Sequence, residues 1–296
     1  MKENEIRSDK ILKKYQKYVD DDFKIFLKDK KKNFKKINYK SWGSNNVSKI
    51  FSKKNFDYFE CLDSGTIFAN PRPRPSVLKK FYSSSKSNEF WYKKFYLPKL
   101  KARISKSIRP KVNYLIKNHD SFKNKKLLDI GCGAGFFLNE LKLKWKEADL
   151  YGLEPSAVMS KEAKVKGFKI FNNTIEKLNK SNYFDIACCF ELFEHMFDPL
   201  IFLKKIHKIL KKNGLLYFST LNGKGFDIDL LRENSSAIYP PYHLNFFNPY
   251  SIKKILEISG FRDIRVETPG KLDLDIVLKN IDLIKSSTSK FFLKIR

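Results

Sequence analysis

Residues 127–136 read LLDIGCGAGF, an apolar run followed by three glycines that are spaced two apart. The apolar run predicts a buried strand, and the segment after the last glycine predicts a helix. Glycine suits the turn between the two elements, because it adopts positive φ angles and lets a ligand approach the backbone closely. The N–H groups at the start of the helix favour an anionic ligand. The stretch therefore predicts a ligand-binding turn at the carboxyl end of a strand.

The spacing of the glycines separates two kinds of ligand. A dinucleotide fingerprint reads G-x-G-x-x-G, whereas here the third glycine comes one residue early and Phe136 occupies its place. Hydride transfer with a dinucleotide is therefore disfavoured. Glu154 lies 25 residues after Asp129, at the end of the next predicted strand. This is close to the spacing at which an acidic side chain accepts hydrogen bonds from ribose hydroxyls.

From residue 126 onward, strand patterns alternate with helical patterns, which is typical of a sheet covered by helices on both faces. The pattern predicts an α/β fold with a doubly wound, seven-stranded, mainly parallel sheet and a ligand across the carboxyl ends of its strands. The predicted strands lie at residues 126–130, 150–154, 169–171, 184–189, 214–219, 264–268 and 272–278.

The chain divides into four predicted regions. A basic, partly helical arm covers residues 1–50, and a small N-terminal appendage, made of a hairpin and connecting helices, covers residues 51–120. The α/β core covers residues 121–280, and a basic tail covers residues 281–296.

Several motifs occur in the order found in one enzyme family. The acid and alternating glycines of residues 129–135, TIEKL at 174–178, FDIACCFELFEH at 184–195 and ILKKNGLL at 209–216 resemble class I S-adenosylmethionine-dependent methyltransferases. The later motifs resemble the branch that includes ubiquinone-type O-methyltransferases. The resemblance covers about residues 121–278 and implies a Rossmann-like methyltransferase fold with S-adenosyl-L-methionine as cofactor.

The resemblance also implies positions for the cofactor. Glu154 would hold the ribose, Ile175 would lie near the adenine, and Asp129 would organise the turn and the amino group. The glycines would pass beneath the methionine part, and residues 189–191 would flank the methionyl chain. The implied cofactor-binding residues are Asp129, Gly131, Gly133, Gly135, Glu154, Ile175, Cys189, Phe190 and Glu191.

Two histidines are candidates for the catalytic base. A sulfonium methyl group is already activated, so the enzyme mainly positions a nucleophile and removes its proton when it has one. His195 follows the fourth predicted strand, and His243 lies in the aromatic segment YPPYHLNFF at 239–247, which resembles the covering loop of this family. Alternatively, His195 is a hydrogen-bonding residue at a helix start, and His243 belongs to a packed loop.

Cysteine usage predicts neither disulfides nor a metal. The four cysteines are Cys61, Cys132, Cys188 and Cys189, two of them adjacent, which favours a reducing compartment. The segment CLDSG at 61–65 resembles a zinc knuckle in which Ser64 replaces the second cysteine. Because a closed structural zinc site needs four ligands, we expect no metal there.

The basic composition allows two interpretations. Lysine and arginine number 60 against 32 acidic residues, a formal net charge of +28, which can indicate a nucleic-acid or anionic-membrane partner. The abundant Lys, Asn, Ile, Phe and Tyr also fit A- and T-rich codons, and solvated lysines on helix faces need no partner. We favour the second interpretation. Without a signal peptide or an apolar run of membrane-spanning length, we expect a cytoplasmic protein without membrane insertion.

The expected function is methyl transfer to a small-molecule acceptor. The branch resemblance favours a hydroxyl of a quinone-like or sugar-like metabolite. Two alternatives stay open, namely an RNA or DNA methyltransferase that uses the basic surface, and a non-catalytic homologue that binds the cofactor.

Overall fold

In the computed structural model of the chain, residues 9–39, 44–118, 124–269 and 273–284 are described. The strands are, in chain order, β1 (Phe34–Lys35), β2 (Val47–Lys53), β3 (Phe56–Cys61), β4 (Ile67–Ala69), β5 (Arg72–Pro73), β6 (Lys126–Ile130), β7 (Asp149–Leu153), β8 (Lys169–Phe171), β9 (Phe184–Phe190), β10 (Leu210–Ser219) and β11 (Asn245–Phe246). The α-helices are α1 (Asp9–Phe26), α2 (Lys30–Asn33), α3 (Pro75–Ser84), α4 (Lys86–Phe90), α5 (Leu100–Arg103), α6 (Arg109–Lys117), α7 (Phe136–Lys144), α8 (Ala157–Val165), α9 (Pro199–Ile209), α10 (Phe226–Leu231), α11 (Pro249–Ile258) and α12 (Asp273–Lys279). Short π-helical or 3-10 turns occupy Trp91–Tyr96, Leu97–Lys99, Ile104–Ile108, Ile175–Lys177, Phe193–His195, Arg232–Asn234 and Ile281–Leu283.

Five strands form a parallel sheet in the order β10-β9-β6-β7-β8. The central strand β6 pairs Leu128 with Tyr151 of β7 on one side and with Ala187 of β9 on the other. The chain runs outward from β6 to β7 and β8 and then returns to the other side of β6. The sheet therefore has a switch point between β6 and β9, where parallel sheets of this kind bind ligands.

Each face of the parallel sheet has its own apolar core, because successive strand residues point to opposite sides. Leu128 belongs to the first core, which also contains buried residues of α9 and α11. Leu127 belongs to the second core, which contains buried residues of α6 and α7. Burial of both faces explains why β6 reads as a continuous apolar run rather than an alternating one.

A second sheet is antiparallel, with the order β11-β4-β3-β2. The hairpin β3-β4 pairs Phe59 with Phe68, and β11 pairs Asn245 with the same Phe68. The sequence predicts an N-terminal appendage, but one strand of this sheet comes from the second half of the chain. The sheet is therefore continuous with the segments that surround the α/β core.

Two of the seven predicted strands differ from the structure. Residues 264–268 form no strand, and α12 occupies most of the range 272–278. In the helix, Val277 is fully buried in a cluster with Leu231 and Ile284, whereas Val266 is 38% exposed. A short alternation of apolar and polar residues fits a strand or a helix, and the packing against α10 decides for the helix.

Parts of the predicted terminal regions lie outside the described residues. These are residues 1–8 and 40–43 of the basic arm, residues 285–296 of the tail, and residue 272 of the last predicted strand. Within the arm, α1 buries Tyr15 and Val19 against aromatic residues. In the described ranges, no helix is both long enough and apolar enough to cross a membrane.

The packing beneath the glycine turn predicts the effect of adding one methyl group. A Cβ on Gly152 of β7 would lie 2.5 Å from Cys132 Sγ and 2.6 Å from Ile170 Cδ1. We expect Gly152→Ala to lower the free energy of unfolding in urea by about 1–3 kcal/mol. Cys132→Ala removes one of the two clashes and should recover part of that loss in the double variant. If the double variant loses as much unfolding free energy as the two single variants together, this packing is contradicted.

Candidate active site

The glycine turn links the central strand to α7. Gly131, Gly133 and Gly135 all have positive φ angles, between 52° and 78°, and this conformation is costly for other residues. A Cβ on Gly135 would also lie 3.2 Å from Ala163 Cβ. The N–H of Gly131 donates to the Leu153 carbonyl at 2.7 Å, which joins the turn to the end of β7.

Glu154 follows β7 directly and lies beside this turn. Its Oε2 accepts a hydrogen bond from the Gly133 N–H at 3.0 Å, and its Oε1 accepts one from the Ser156 N–H at 2.7 Å. Burial raises the pKa of Glu154, and the two N–H donors oppose the rise. Burial and the nearby Glu154 also raise the pKa of Asp129 well above its ordinary value, against the effect of Lys111. The two predicted acids and the glycine turn thus lie together.

Ile175 begins a 3-10 turn after β8 and is 3% exposed. The segment between β8 and this turn is tied to the acid, since Asn172 Nδ2 donates to the Glu154 carbonyl at 2.8 Å. Ile175 packs in the first core with Leu153. The structure therefore connects this predicted residue to the end of β7.

The three predicted cofactor-binding residues at the end of β9 lie in three different environments. Cys189 is buried in the first core, and burial raises the pKa of its thiol well above the ordinary value. Phe190 packs on Phe137 with a ring-centroid distance of 4.6 Å. Glu191 has a φ of 49° and a side chain that is 52% exposed. Of these three residues Glu191 alone is exposed, and positive φ at a non-glycine residue is frequent at functional sites.

Glu191 is held by two groups. Its Oε1 accepts hydrogen bonds from Ser219 Oγ at 2.6 Å and from Lys111 Nζ at 3.2 Å. Although burial raises the pKa of Glu191, the Lys111 ammonium and the Ser219 hydroxyl leave it below its ordinary value. Glu191 is therefore an ionised acid with a fixed cation beside it.

The two histidines lie together, with ring centroids 5.0 Å apart. His195 Nδ1 lies 2.8 Å from the Tyr242 carbonyl, and His243 Nδ1 lies 2.6 Å from the Ala237 carbonyl. A carbonyl oxygen only accepts, so each Nδ1 carries a proton, and Nε2 is the basic nitrogen of each ring when that ring is neutral. Burial lowers the pKa of His195, although the Tyr242 carbonyl and Glu191 oppose the shift.

Glu194 lies between these histidines and β10. It is 1% exposed, and its Oε2 accepts a hydrogen bond from Thr220 Oγ1 at 2.8 Å. His195 Nε2 lies 3.9 Å from Glu194 Oε1. Burial and the charge of Glu191 raise the pKa of Glu194 to about 8, so its carboxyl group is protonated over much of the neutral range.

Metal-binding chemistry has one candidate location in the described part of the chain. One side-chain atom each from Glu194, His195 and His243 lies within 4.8 Å of the others, and a carboxylate with two imidazoles could share a divalent cation. The predicted knuckle offers less, since Cys61 is buried in the first core and Ser64 Oγ is hydrogen bonded to Thr66 Oγ1 at 3.0 Å.

Sequence reasoning missed four side chains of this site. Lys111 is one of many lysines on the preceding helices, so no local signal distinguishes it. Tyr82 Oη lies 3.3 Å from His195 Nδ1, and its helix precedes the core in sequence. The signal for Ser219 and Thr220 was present, because they end the strand next to β9 and strand ends line such sites.

The family comparison agrees with the motifs. A family model described as "Methyltransferase domain" matches residues 100–266, so the chain belongs to the methyltransferase domain family. This confirms the resemblance to class I methyltransferases, and S-adenosyl-L-methionine is the cofactor expected for such a domain.

Curated relatives carry a more specific name. The ubiquinone biosynthesis O-methyltransferase of Aliivibrio fischeri is 33% identical over 120 residues, which cover 38% of this chain and 50% of that protein. The protein of the same name from Histophilus somni is 32% identical over 161 residues, covering 50% of this chain and 64% of that protein. The chain therefore matches less than two thirds of the length of either relative.

Solved structures also superpose partly on this chain. A methyltransferase from Thermotoga maritima has a TM-score of 0.45 and 21% identity, covering 57% of this chain and 79% of that one. An S-adenosylmethionine-dependent methyltransferase from Mesorhizobium loti has a TM-score of 0.47 and 17% identity, covering 61% of this chain and 92% of that one.

The buried acid beside the histidines predicts a pH-dependent stability. Between its ordinary pKa of 4.5 and its raised pKa of about 8, Glu194 keeps its proton in the folded state and loses it in the unfolded state. Stability should therefore fall as pH rises through this window, by at most about 1.4 kcal/mol per pH unit. Glu194→Gln removes this titration, so urea unfolding at about pH 5, 6.5 and 8 should show a weaker decline for the variant. Equal declines in the variant and the parent would contradict the raised pKa, and Glu176→Gln, at an exposed acid, is the control.

Proposed function

We propose that this protein transfers the methyl group of S-adenosyl-L-methionine to a hydroxyl group of a small molecule, such as a quinone-like or sugar-like metabolite. The observation that carries the proposal is the pair of neighbouring imidazoles, His195 and His243, each with Nδ1 committed to a backbone carbonyl. In the neutral form of each ring Nε2 is the basic nitrogen, and His195 follows β9, where the switch point predicts the ligand. A hydroxyl acceptor needs such a base.

The residues around the glycine turn fit the cofactor. The turn has no side chain at three positions, and each Glu154 oxygen accepts only one of the two backbone hydrogen bonds described above. A carboxylate oxygen has two lone pairs, so Glu154 can also accept from ribose hydroxyls. Glu191, whose pKa lies below its ordinary value, supplies a negative charge that favours a cation such as a sulfonium. The proposed cofactor-binding residues are Asp129, Gly131, Gly133, Gly135, Glu154, Ile175, Cys189, Phe190 and Glu191.

Two of these residues would contribute in a limited way. The Cys189 thiol is buried in the first core, so its contribution would come from the backbone at the end of β9. Ile175 would offer an apolar surface near the adenine. Lys111 is a further proposed contact, because its ammonium acts on Asp129 and Glu191 and could meet the carboxylate of the methionyl chain.

The chemistry requires one proton acceptor. When bound, the cofactor supplies a methyl group that needs no further activation. His195 Nε2 would take the hydroxyl proton as the hydroxyl oxygen bonds to the methyl carbon, and the bond from that carbon to the sulfonium sulfur would break with its electron pair left on sulfur. The Tyr242 carbonyl orients the ring through Nδ1–H, and the charge of Glu191 favours the imidazolium that forms. His243 is the second candidate for the same role.

Cofactor binding tests the first half of the proposal. Charge-assisted hydrogen bonds contribute about 1.5–3 kcal/mol each, so Glu154→Ala should weaken S-adenosylmethionine binding by at least about tenfold in a calorimetric titration. Gly133→Val should abolish binding, because valine disfavours the positive φ of this residue. Asp149→Ala is the matched control, since Asp149 lies at the opposite end of the same strand. No binding to the folded parent protein would contradict the assignment.

Substitution of the histidines tests the second half of the proposal, namely the proton acceptor. With catechol as the probe acceptor, His195→Gln should lower kcat by about 10²–10⁴-fold, as expected for loss of a general base, with the S-adenosylmethionine affinity unchanged. The rate of the parent should fall only at pH values below about 6.5, since the pKa of His195 is lowered. His207→Gln is the control, because this histidine packs on Phe261 with a ring-centroid distance of 5.3 Å, away from the pair.

Other outcomes distinguish the alternatives. A loss confined to His243→Gln would move the base to His243. Firm cofactor binding without methyl transfer to catechol or to any extract component would contradict the enzymatic proposal and favour a non-catalytic homologue. Methylation of RNA or DNA with strong salt dependence would replace the small-molecule acceptor.

A further inference from the structure

Arg72 is a fully buried arginine that connects three segments of the chain. Its Nε donates to the Ala69 carbonyl at the end of β4 at 2.9 Å. Its Nη1 donates to the Phe197 carbonyl at 3.0 Å, in the loop that follows β9. Its Nη2 donates to the Leu244 carbonyl at 3.3 Å, in the loop that precedes β11. One guanidinium thus joins the antiparallel sheet to both loops of the candidate site.

Asn245 extends this connection between the loops. Its Oδ1 accepts a hydrogen bond from Arg72 Nη1 at 2.8 Å, and its Nδ2 donates to the Met196 carbonyl at 2.7 Å. The backbone adds a direct contact, in which the Leu244 N–H donates to the Glu194 carbonyl at 2.8 Å. The loop after β9 and the loop before β11 are therefore held against each other by a buried polar network.

The antiparallel sheet also holds the loop before β11 through contacts that do not involve Arg72. Tyr58 of β3 is fully buried, and its Oη donates to the His243 carbonyl at 3.0 Å. The Ala69 N–H donates to the Leu244 carbonyl at 2.9 Å. The Tyr58 contact reaches the His243 loop alone, whereas Arg72 reaches both loops. The two residues can therefore be separated by experiment.

Arginine has the chemistry that this position requires. Burial lowers the pKa of Arg72 to about 9, although Asp198 and Tyr58 oppose the shift, so the side chain is still charged at neutral pH. A buried charge is tolerated only when it is fully hydrogen bonded. The rigid planar fork of arginine can reach several carbonyls at once, which the single ammonium of lysine cannot do in the same geometry.

We propose that Arg72 and Tyr58 are positioning residues that set the orientation of His195 and His243. Arg72 fixes the two loops relative to each other, and Tyr58 fixes the His243 loop on the sheet. The backbone carbonyls of Tyr242 and Ala237 can then hold each Nδ1–H, which keeps the two rings in place beside each other. This inference rests on the proposed function for the role of the histidines.

The test measures the histidine tautomers in the full-length protein without cofactor or acceptor. Long-range ¹H–¹⁵N spectra distinguish the protonated ring nitrogen from the unprotonated one. The chain has only four histidines, so His195→Gln and His243→Gln assign the two signals. Because no reaction is needed, this result does not depend on whether the proposed function is correct.

Each variant has its own expected signature. The parent protein should show one dominant tautomer, Nδ1–H, for both histidines. Tyr58→Phe should produce mixed tautomers for His243 only, and Arg72→Met should do so for His195 and His243. Arg72→Lys should give an intermediate spectrum. In turnover with catechol, Arg72→Met should lower kcat by about 100-fold, the effect of a displacement near 1 Å, with the cofactor affinity unchanged.

The controls separate positioning from general stability. Leu141→Ala destabilises the second core, which contains neither histidine, and should leave both tautomers as in the parent. If Arg72→Met and Tyr58→Phe fold and also keep the parent tautomers, both residues are ordinary core residues and the proposal is overturned. If Arg72→Met does not fold, Arg72→Lys takes its place. The proposal is then overturned if both Arg72→Lys and Tyr58→Phe fold and keep the parent tautomers.

Discussion

Strand β6 pairs in parallel with β7 on one side and with β9 on the other, and the separate motifs of the site meet because of this double pairing. Parallel strands end at one edge of a sheet, so the glycine turn, Glu154 and Glu191 emerge next to each other although they are distant in sequence. The Gly131 N–H and the Leu153 carbonyl continue the pairing beyond the strands. Loss of this register would separate the acids from the turn.

Burial gives the site its electrostatic character. Asp129, Glu154 and Glu194 are each less than a tenth exposed, and desolvation raises the pKa of all three. Lys111 opposes the shifts of Asp129 and Glu194 and pairs with Glu191, which is the more exposed acid. The ionised Glu191 and the Lys111 ammonium place one charge of each sign at this edge, which suits a ligand that carries both charges. The histidines extend this edge toward the antiparallel sheet.

The antiparallel sheet corrects the prediction for the N-terminal third of the chain. The sequence predicts an appendage there, made of a hairpin and connecting helices. Its fourth strand comes from residues 245–246, and its buried polar residues contact the loops of the candidate site. Pieces from both ends of the chain thus form one structure around the edge of the parallel sheet.

Local patterns were sufficient where the chain is buried on both sides. β6 and β8 match the predicted ranges, and β7, β9 and β10 differ only in their bounds, because continuous apolar runs between turn signals leave little choice. The last two predicted strands failed because a short alternating pattern fits two structures. Packing of Val277 against Leu231 selects the helix, and that contact cannot be read from the local pattern.

Residue type and spacing are enough for the α/β class and for the glycine turn with its acids, because they act over a few residues or one strand-turn-helix unit. The expected cofactor follows from the resemblance to methyltransferases that the motifs carry, and the two candidate histidines follow from their predicted loop positions. The tertiary contacts make His195 and His243 neighbours, with Nδ1 as the donor in each ring. They also bring Tyr82 to His195, Lys111 to Glu191, and Arg72 to the two loops that carry the histidines. Those relations depend on contacts between segments far apart in the chain, and such contacts are set by burial and by the pairing of buried polar groups rather than by spacing.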